Sequence, residues 1–184
     1  MVKLGILYKQ RLLHVNAIAF FYLFRTSLIF SSIYTVSFFG HRKIESPLEI
    51  EKRLDKLLHN IITQKEYVEF LIGREGEFDL LAASVIRRAV NSYGCGNTSF
   101  ILVLPYMKAE YRDNKREYLE YYDEIEVCSE SSEAHYKSAI QVRNKNIVDR
   151  SDLVVCCIQQ NGGGAYKTVQ YAKKQNCMIV NLAE

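Results

Sequence analysis

Residues 161–164 read Asn-Gly-Gly-Gly and stand between an apolar run, Leu153 to Ile158, and a segment where Ala165, Val169 and Ala172 recur at helical spacing. Glycines let a backbone come close to an anion, and the N–H groups of a helix N-terminus, aided by the dipole, attract negative charge. Gly162, Gly163 and Gly164 are thus candidate phosphate ligands, with an ordinary strand-to-helix turn as the competing account, because neither a GxGxxG nor a P-loop lysine pattern is present. Gly40, His41 and Arg42 form a second loop of interest. The guanidinium can grip phosphate or carboxylate bidentately, and the imidazole can donate a hydrogen bond or move a proton; a polar loop at a sheet edge is the plain alternative. Gly73 and Gly76, in Gly-Arg-Glu-Gly-Glu, offer either another backbone cradle or a turn needing positive φ. Asp79 follows at a helix start, where a bond to the local backbone is its default role. Tyr106, directly after Pro105 at a strand end, could stack on a base. Arg143 falls in a helix and is either a ligand or part of a solvated face.

These loops matter only if the chain gathers them, and the alternation of elements predicts that it does. Strand patterns occupy Tyr34–Phe39, Tyr67–Ile72, Phe100–Leu104, Glu124–Cys128, Leu153–Ile158 and Met178–Leu182. Ser46-Pro47-Leu48-Glu49 has the form of a capping box and opens a helix to about Gln64, with Leu54, Leu57, Leu58, Ile61 and Ile62 inward. Helices are also predicted over Phe78–Ser92, from about Glu133 to Arg150, and from the glycine turn to Gln175. The charged, tyrosine-rich stretch Met107–Asp123 reads as an exposed loop with a short helix. Alternating β and α in this order implies a parallel sheet covered on both faces, with the ligand crevice beyond the carboxyl ends of the strands.

Composition adds limits. Residues 1–34 carry Lys3, Lys9, Arg11 and Arg25 and no acid, so the remainder holds 20 basic against 21 acidic residues. That near-neutral body makes nucleic acid a disfavoured partner. Five cysteines show no metal-binding spacing; Cys156 and Cys157, adjacent on a strand, must face opposite ways and read as buried free thiols in a reducing compartment. The uncharged stretch Leu12 to Phe24 would make a helix of roughly 20 Å, short of a ~30 Å hydrocarbon core, so a membrane is also disfavoured. Residues 1–33 are read as an N-terminal apolar and basic extension, and 34–184 as the domain. The extension is an appended segment lying on the domain or a partner, translated sequence upstream of the natural start, or a membrane-associating segment.

VSFFGHR at 36–42, GREGEFDLLAA at 73–83, LPY at 104–106 and RNKNIVDRSDLVV at 143–155, followed by NGGGAYKTVQYAKK, resemble the SLOG superfamily. Within it the order of motifs resembles the YpsA-like bacterial branch; lonely-guy phosphoribohydrolases and DNA-processing protein A are members of the same superfamily. The resemblance covers about residues 35–184. It implies an α/β, Rossmann-like three-layer sandwich with a mostly parallel sheet of about six strands. It further implies a cytoplasmic protein that binds or senses a nucleotide or nucleotide-derived ligand as a regulatory module, with no metal or separate cofactor and with homo-oligomerisation left open. Gly40, His41, Arg42, Gly73, Gly76, Arg143 and Gly162 to Gly164 would line its pocket, joined by Asp79, Pro105 and Tyr106. The phosphoribohydrolases carry PGGxGTxxE, whose glutamate serves N-glycosidic cleavage. Here the proline and threonine are missing and no Asp or Glu occurs between Leu153 and Ala183. A positioned carboxylate is the usual support for an oxocarbenium-like transition state. Such an enzyme is therefore the alternative reading, with Glu75, Glu77 or Asp79 as substitute acids and no catalytic residue assigned.

Overall fold

The computed structural model describes residues 33–184, and the readings made above for residues 1–32 fall outside that part. Six strands form one sheet: β1 (Ile33–Gly40), β2 (Tyr67–Ile72), β3 (Thr98–Leu104), β4 (Glu124–Val127), β5 (Leu153–Cys157) and β6 (Met178–Asn181). Their spatial order is β4-β3-β2-β1-β5-β6, parallel throughout, so the sheet is more uniform than the mostly parallel one expected. The helices are α1 (Pro47–Gln64), α2 (Glu77–Tyr93), α3 (Ala109–Asp113), α4 (Lys115–Tyr121), α5 (Ser129–Ser132), α6 (Tyr136–Asp149) and α7 (Gly163–Lys174).

The period of two along each strand sorts the core into two layers. Val36, Phe38, Phe70, Ile72, Phe100, Leu102, Val155 and Cys157 pack with α1 and α2. Phe39, Leu71, Ile101, Val103, Val154 and Cys156 face α6 and α7 instead. Cys156 and Cys157 therefore do point to opposite faces, both free and buried. All five residues of β5 are buried, as a central strand covered on both faces requires. Asp152 and Asp123 align strand starts by one device. Each stands just before its strand and accepts the N–H of a neighbouring strand's residue, Thr35 at 2.8 Å and Phe100 at 2.8 Å.

Two local expectations need correcting. Ser46 does not close a capping box: its φ is 52°, its side chain makes no cap bond, and Glu49 pairs with Arg53 at 3.1 Å. The helix is opened instead by Pro47 and by the Ser46 carbonyl, which accepts the Glu49 and Ile50 N–H groups. The helix expected from about Glu133 to Arg150 is found as α6, and a short helix that was not expected, α5, precedes it. Ser131 Oγ donates to the Pro105 carbonyl at 2.6 Å and pins this short helix to the end of β3, so the chain restarts at Tyr136. The stretch 107–123 likewise holds two short helices, and Tyr111 and Tyr122 sink into the core.

The strand order puts the reversal of chain progression at β1 and β5. From β1 the connections run outward to β4, then return through α5 and α6 to β5 on the other side of β1. Adjacent strands whose connections leave in opposite directions open a crevice at their carboxyl ends.

Candidate functional site

A cavity of about 520 Å³ occupies that crevice. The loop after β1 supplies Gly40, His41 and Arg42; the loop after β2 and the start of α2 supply Glu75, Gly76 and Asp79. From α6 come Ile140, Gln141, Arg143 and Asn144, and from the start of α7 come Gly163, Gly164 and Ala165. Eight of the twelve residues expected at the site thus line one cavity.

Arg143 is the buried charge. It is 2% exposed, its Nε has no hydrogen-bond partner, and burial lowers its pKa, opposed by the nearby Asp79 and Glu75 carboxylates. A solvated helix face is therefore excluded. Gly73 does not line the cavity but bears on it. A Cβ there would overlap the Arg143 guanidinium, so glycine is required by close approach and the loop backbone lies directly against the cation.

The two glycine turns differ in what they offer an anion. At α7, Gly162 is the N-cap, Gly163 has φ 80°, no side chain caps the helix and no acidic residue stands in its first turn. Orphan N–H groups and the positive end of the dipole face the cavity uncompensated. At α2 the first turn carries Glu77 and Asp79, and the backbone is already engaged. Glu77 N–H donates to the Arg42 carbonyl at 3.0 Å, and Glu75 N–H to Asp79 Oδ2 at 2.8 Å. Neither Gly73 nor Gly76 has positive φ, and a Cβ on Gly76 would strike the Arg42 backbone. That turn is a packing joint between two loops, and the anion-ready end is that of α7.

Asp79 keeps its default backbone bond and has a second property. Burial pushes its carboxyl up to about 6, against the pull of the Glu75 N–H and of Arg143. A carboxyl that titrates near neutrality stands beside a buried arginine. His41 ties the β1 and β5 loops together: its N–H donates to the Cys157 carbonyl at 3.3 Å and its Nε2 accepts the Gln160 N–H at 3.3 Å. The Thr168 hydroxyl accepts a bond from Asn144 Nδ2 and donates to the Gly164 carbonyl, both at 3.1 Å, so α6 and the glycine turn are joined.

Pro105 and Tyr106 are not brought to this cavity. β3 lies two strands from β1, about 10 Å at ordinary strand spacing, and the Pro105 carbonyl is taken by Ser131. Gln141 and Asn144 line the site without having been expected there. The signal for the α6 face was present: Ala139, Arg143 and Ile147 recur at i+4 and are all buried.

No family profile and no curated protein matches the chain. Solved structures do. DNA processing protein A from Helicobacter pylori, described with a unique single-stranded DNA binding mode, is 14% identical with a TM-score of 0.55, over 79% of this chain and 63% of that one. DNA processing protein A from Streptococcus pneumoniae is 15% identical with a TM-score of 0.57, over 80% and 49%. The chain thus spans less than two thirds of either relative's length. At such identity the likeness establishes the fold alone, a Rossmann-like α/β arrangement with a parallel six-stranded sheet. The view that nucleic acid is a disfavoured partner is corrected by these neighbours, one of which is described as binding single-stranded DNA. Net charge summed over a domain does not report how charges are placed within one crevice, where Arg42 and Arg143 stand with Glu75 and Asp79. Among the described residues no helix is long and apolar enough to cross a membrane.

Proposed function

We propose that residues 34–184 form a nucleotide-binding module, regulatory in role, that takes the phosphate of a nucleotide or nucleotide-derived ligand between the N-terminus of α7 and Arg143. The observation that carries this reading is the buried, incompletely bonded guanidinium facing an uncapped, acid-free glycine turn across one cavity. The ligand is a free nucleotide or a nucleotide of a single strand, and the Helicobacter pylori neighbour, described with a single-stranded DNA binding mode, supports including the latter. A YpsA-like place within the superfamily, a cytoplasmic location and a separate extension over residues 1–33 complete the proposal. Calorimetry with AMP tests it. Gly163→Asp introduces a carboxylate at the anion end and a side chain at φ 80°, so affinity is expected to fall at least tenfold, about 1.4 kcal/mol. A folded variant with unchanged affinity would refute phosphate contact at that turn.

A second reading, a phosphoribohydrolase-like enzyme, is favoured by the Asp79 carboxyl, which burial tunes into the range of a general acid. We expect binding without turnover, because the helix after the glycine turn lacks a carboxylate. Chromatography of AMP incubated with the protein should show no free adenine. Base release that disappears in Arg143→Ala would establish the enzyme instead.

A further inference from the structure

A second cavity, of about 490 Å³, adjoins the first at the loop following β2. Arg74 lines it, whereas the next two residues, Glu75 and Gly76, line the first cavity; Leu80 and Ala83 line it, whereas Asp79 lines the first. Its other walls come from α3, α4 and the residues that end them: Glu110, Asn114, Glu117, Tyr118, Tyr121 and Tyr122. The Arg74 guanidinium lies over the Tyr118 ring, 5.0 Å from its centroid. Leu80 is 50% exposed and lies at this cavity with no core duty. Burial raises Tyr118 and Tyr122 to about 12, so their rings stay neutral at any ordinary pH.

We propose that this tyrosine-lined cavity seats the base of the nucleotide adjacent to the one whose phosphate occupies the first cavity, so that the domain reads two consecutive nucleotides of a single strand. The inference rests on the reading of the first cavity given above. Tyrosine rings and an arginine plane are the surfaces on which unpaired bases stack, at roughly 1–3 kcal/mol per base. Glu110 and Glu117 decide which part of the strand enters: two carboxylates against one guanidinium repel phosphate and leave the base as the fitting group. The loop after β2 and the first turns of α2 contribute residues to both cavities, which places the two nucleotides on either side of one short segment.

The test is calorimetry on the full chain with AMP and with the 5′-phosphorylated dinucleotide pApA. The dinucleotide is expected to bind at least tenfold more tightly than AMP. Leu80→Glu and Tyr121→Leu are each expected to abolish that advantage while leaving AMP affinity unchanged. Tyr121 also packs against Phe100 and Tyr122. Leu80→Glu, at an exposed position, therefore carries the test if Tyr121→Leu unfolds. Equal affinity for the two probes in the wild type, or an advantage that survives Leu80→Glu, overturns the proposal while AMP binding stands. A wild type that binds neither probe overturns both readings. A dinucleotide advantage lost in Leu80→Glu, with AMP indifferent to Arg143→Ala, upholds the base site and refutes the phosphate assignment alone.

Discussion

Arg143→Met is expected to lower the affinity for AMP by on the order of a hundredfold, about 2.8 kcal/mol at 1.4 kcal/mol per factor of ten. The size follows from the setting. Hydrogen bonds to charged groups contribute about 1.5–3 kcal/mol even after exchange with water, and this guanidinium is almost wholly withdrawn from solvent. Methionine retains an unbranched stem to fill the space between α6 and the loop at Gly73, so the domain should stay folded. Calorimetry gives the affinity and a thermal melt the folded state. A folded variant that binds AMP within threefold of the wild type would remove Arg143 from the site.

The second large effect concerns stability and pH. Asp79 titrates near 6 in the folded protein against 3.8 for the free side chain, and burial is the leading cause. A raised carboxyl pKa means that folding disfavours the ionised form. The stability this group contributes as a neutral acid is fully present below pH 3.8 and is lost as pH rises through 6. At 1.36 kcal/mol per unit the cost above pH 6 is about 3 kcal/mol. Asp79→Asn should therefore raise the melting temperature at pH 7.5 by roughly 5–10 °C, with the gain shrinking towards pH 4. The amide oxygen can still accept the Glu75 N–H. A lower melting temperature for the variant at pH 7.5 would mean that attraction to Arg143 outweighs the burial of Asp79.

The strands were legible because parallel strands covered on both faces leave continuous apolar runs, and the observed bounds of β2 and α1 coincide with the expected ones. The crevice was legible to the extent that alternating β and α imply one. What periodicity cannot supply is the order of strands across the sheet. Pro105 and Tyr106 end a strand just as Gly40 does, and only the order β4-β3-β2-β1-β5-β6 puts one loop at the switch point and the other two strands away. The roles of Gly73 and Gly76 were hidden for a related reason. A glycine required by another element's approach looks, in sequence, like one required by its own φ. Arg143 could have been recognised as buried from its place between Ala139 and Ile147, but α6 is polar enough to mask that stripe.

Gly73 lying against the Arg143 guanidinium has a consequence for how the site responds. A cation clamped beneath a backbone loses its rotamer freedom during folding, before any ligand arrives. Recognition then begins from a fixed positive point, and little of the ordering cost of binding falls on the protein. A rigid receptor of this kind discriminates by rejecting shapes rather than by moulding itself around them. The same contact makes the coupling between the two positions one-sided: any side chain at 73 must displace the arginine, whereas 143 can be shortened with the glycine left in place.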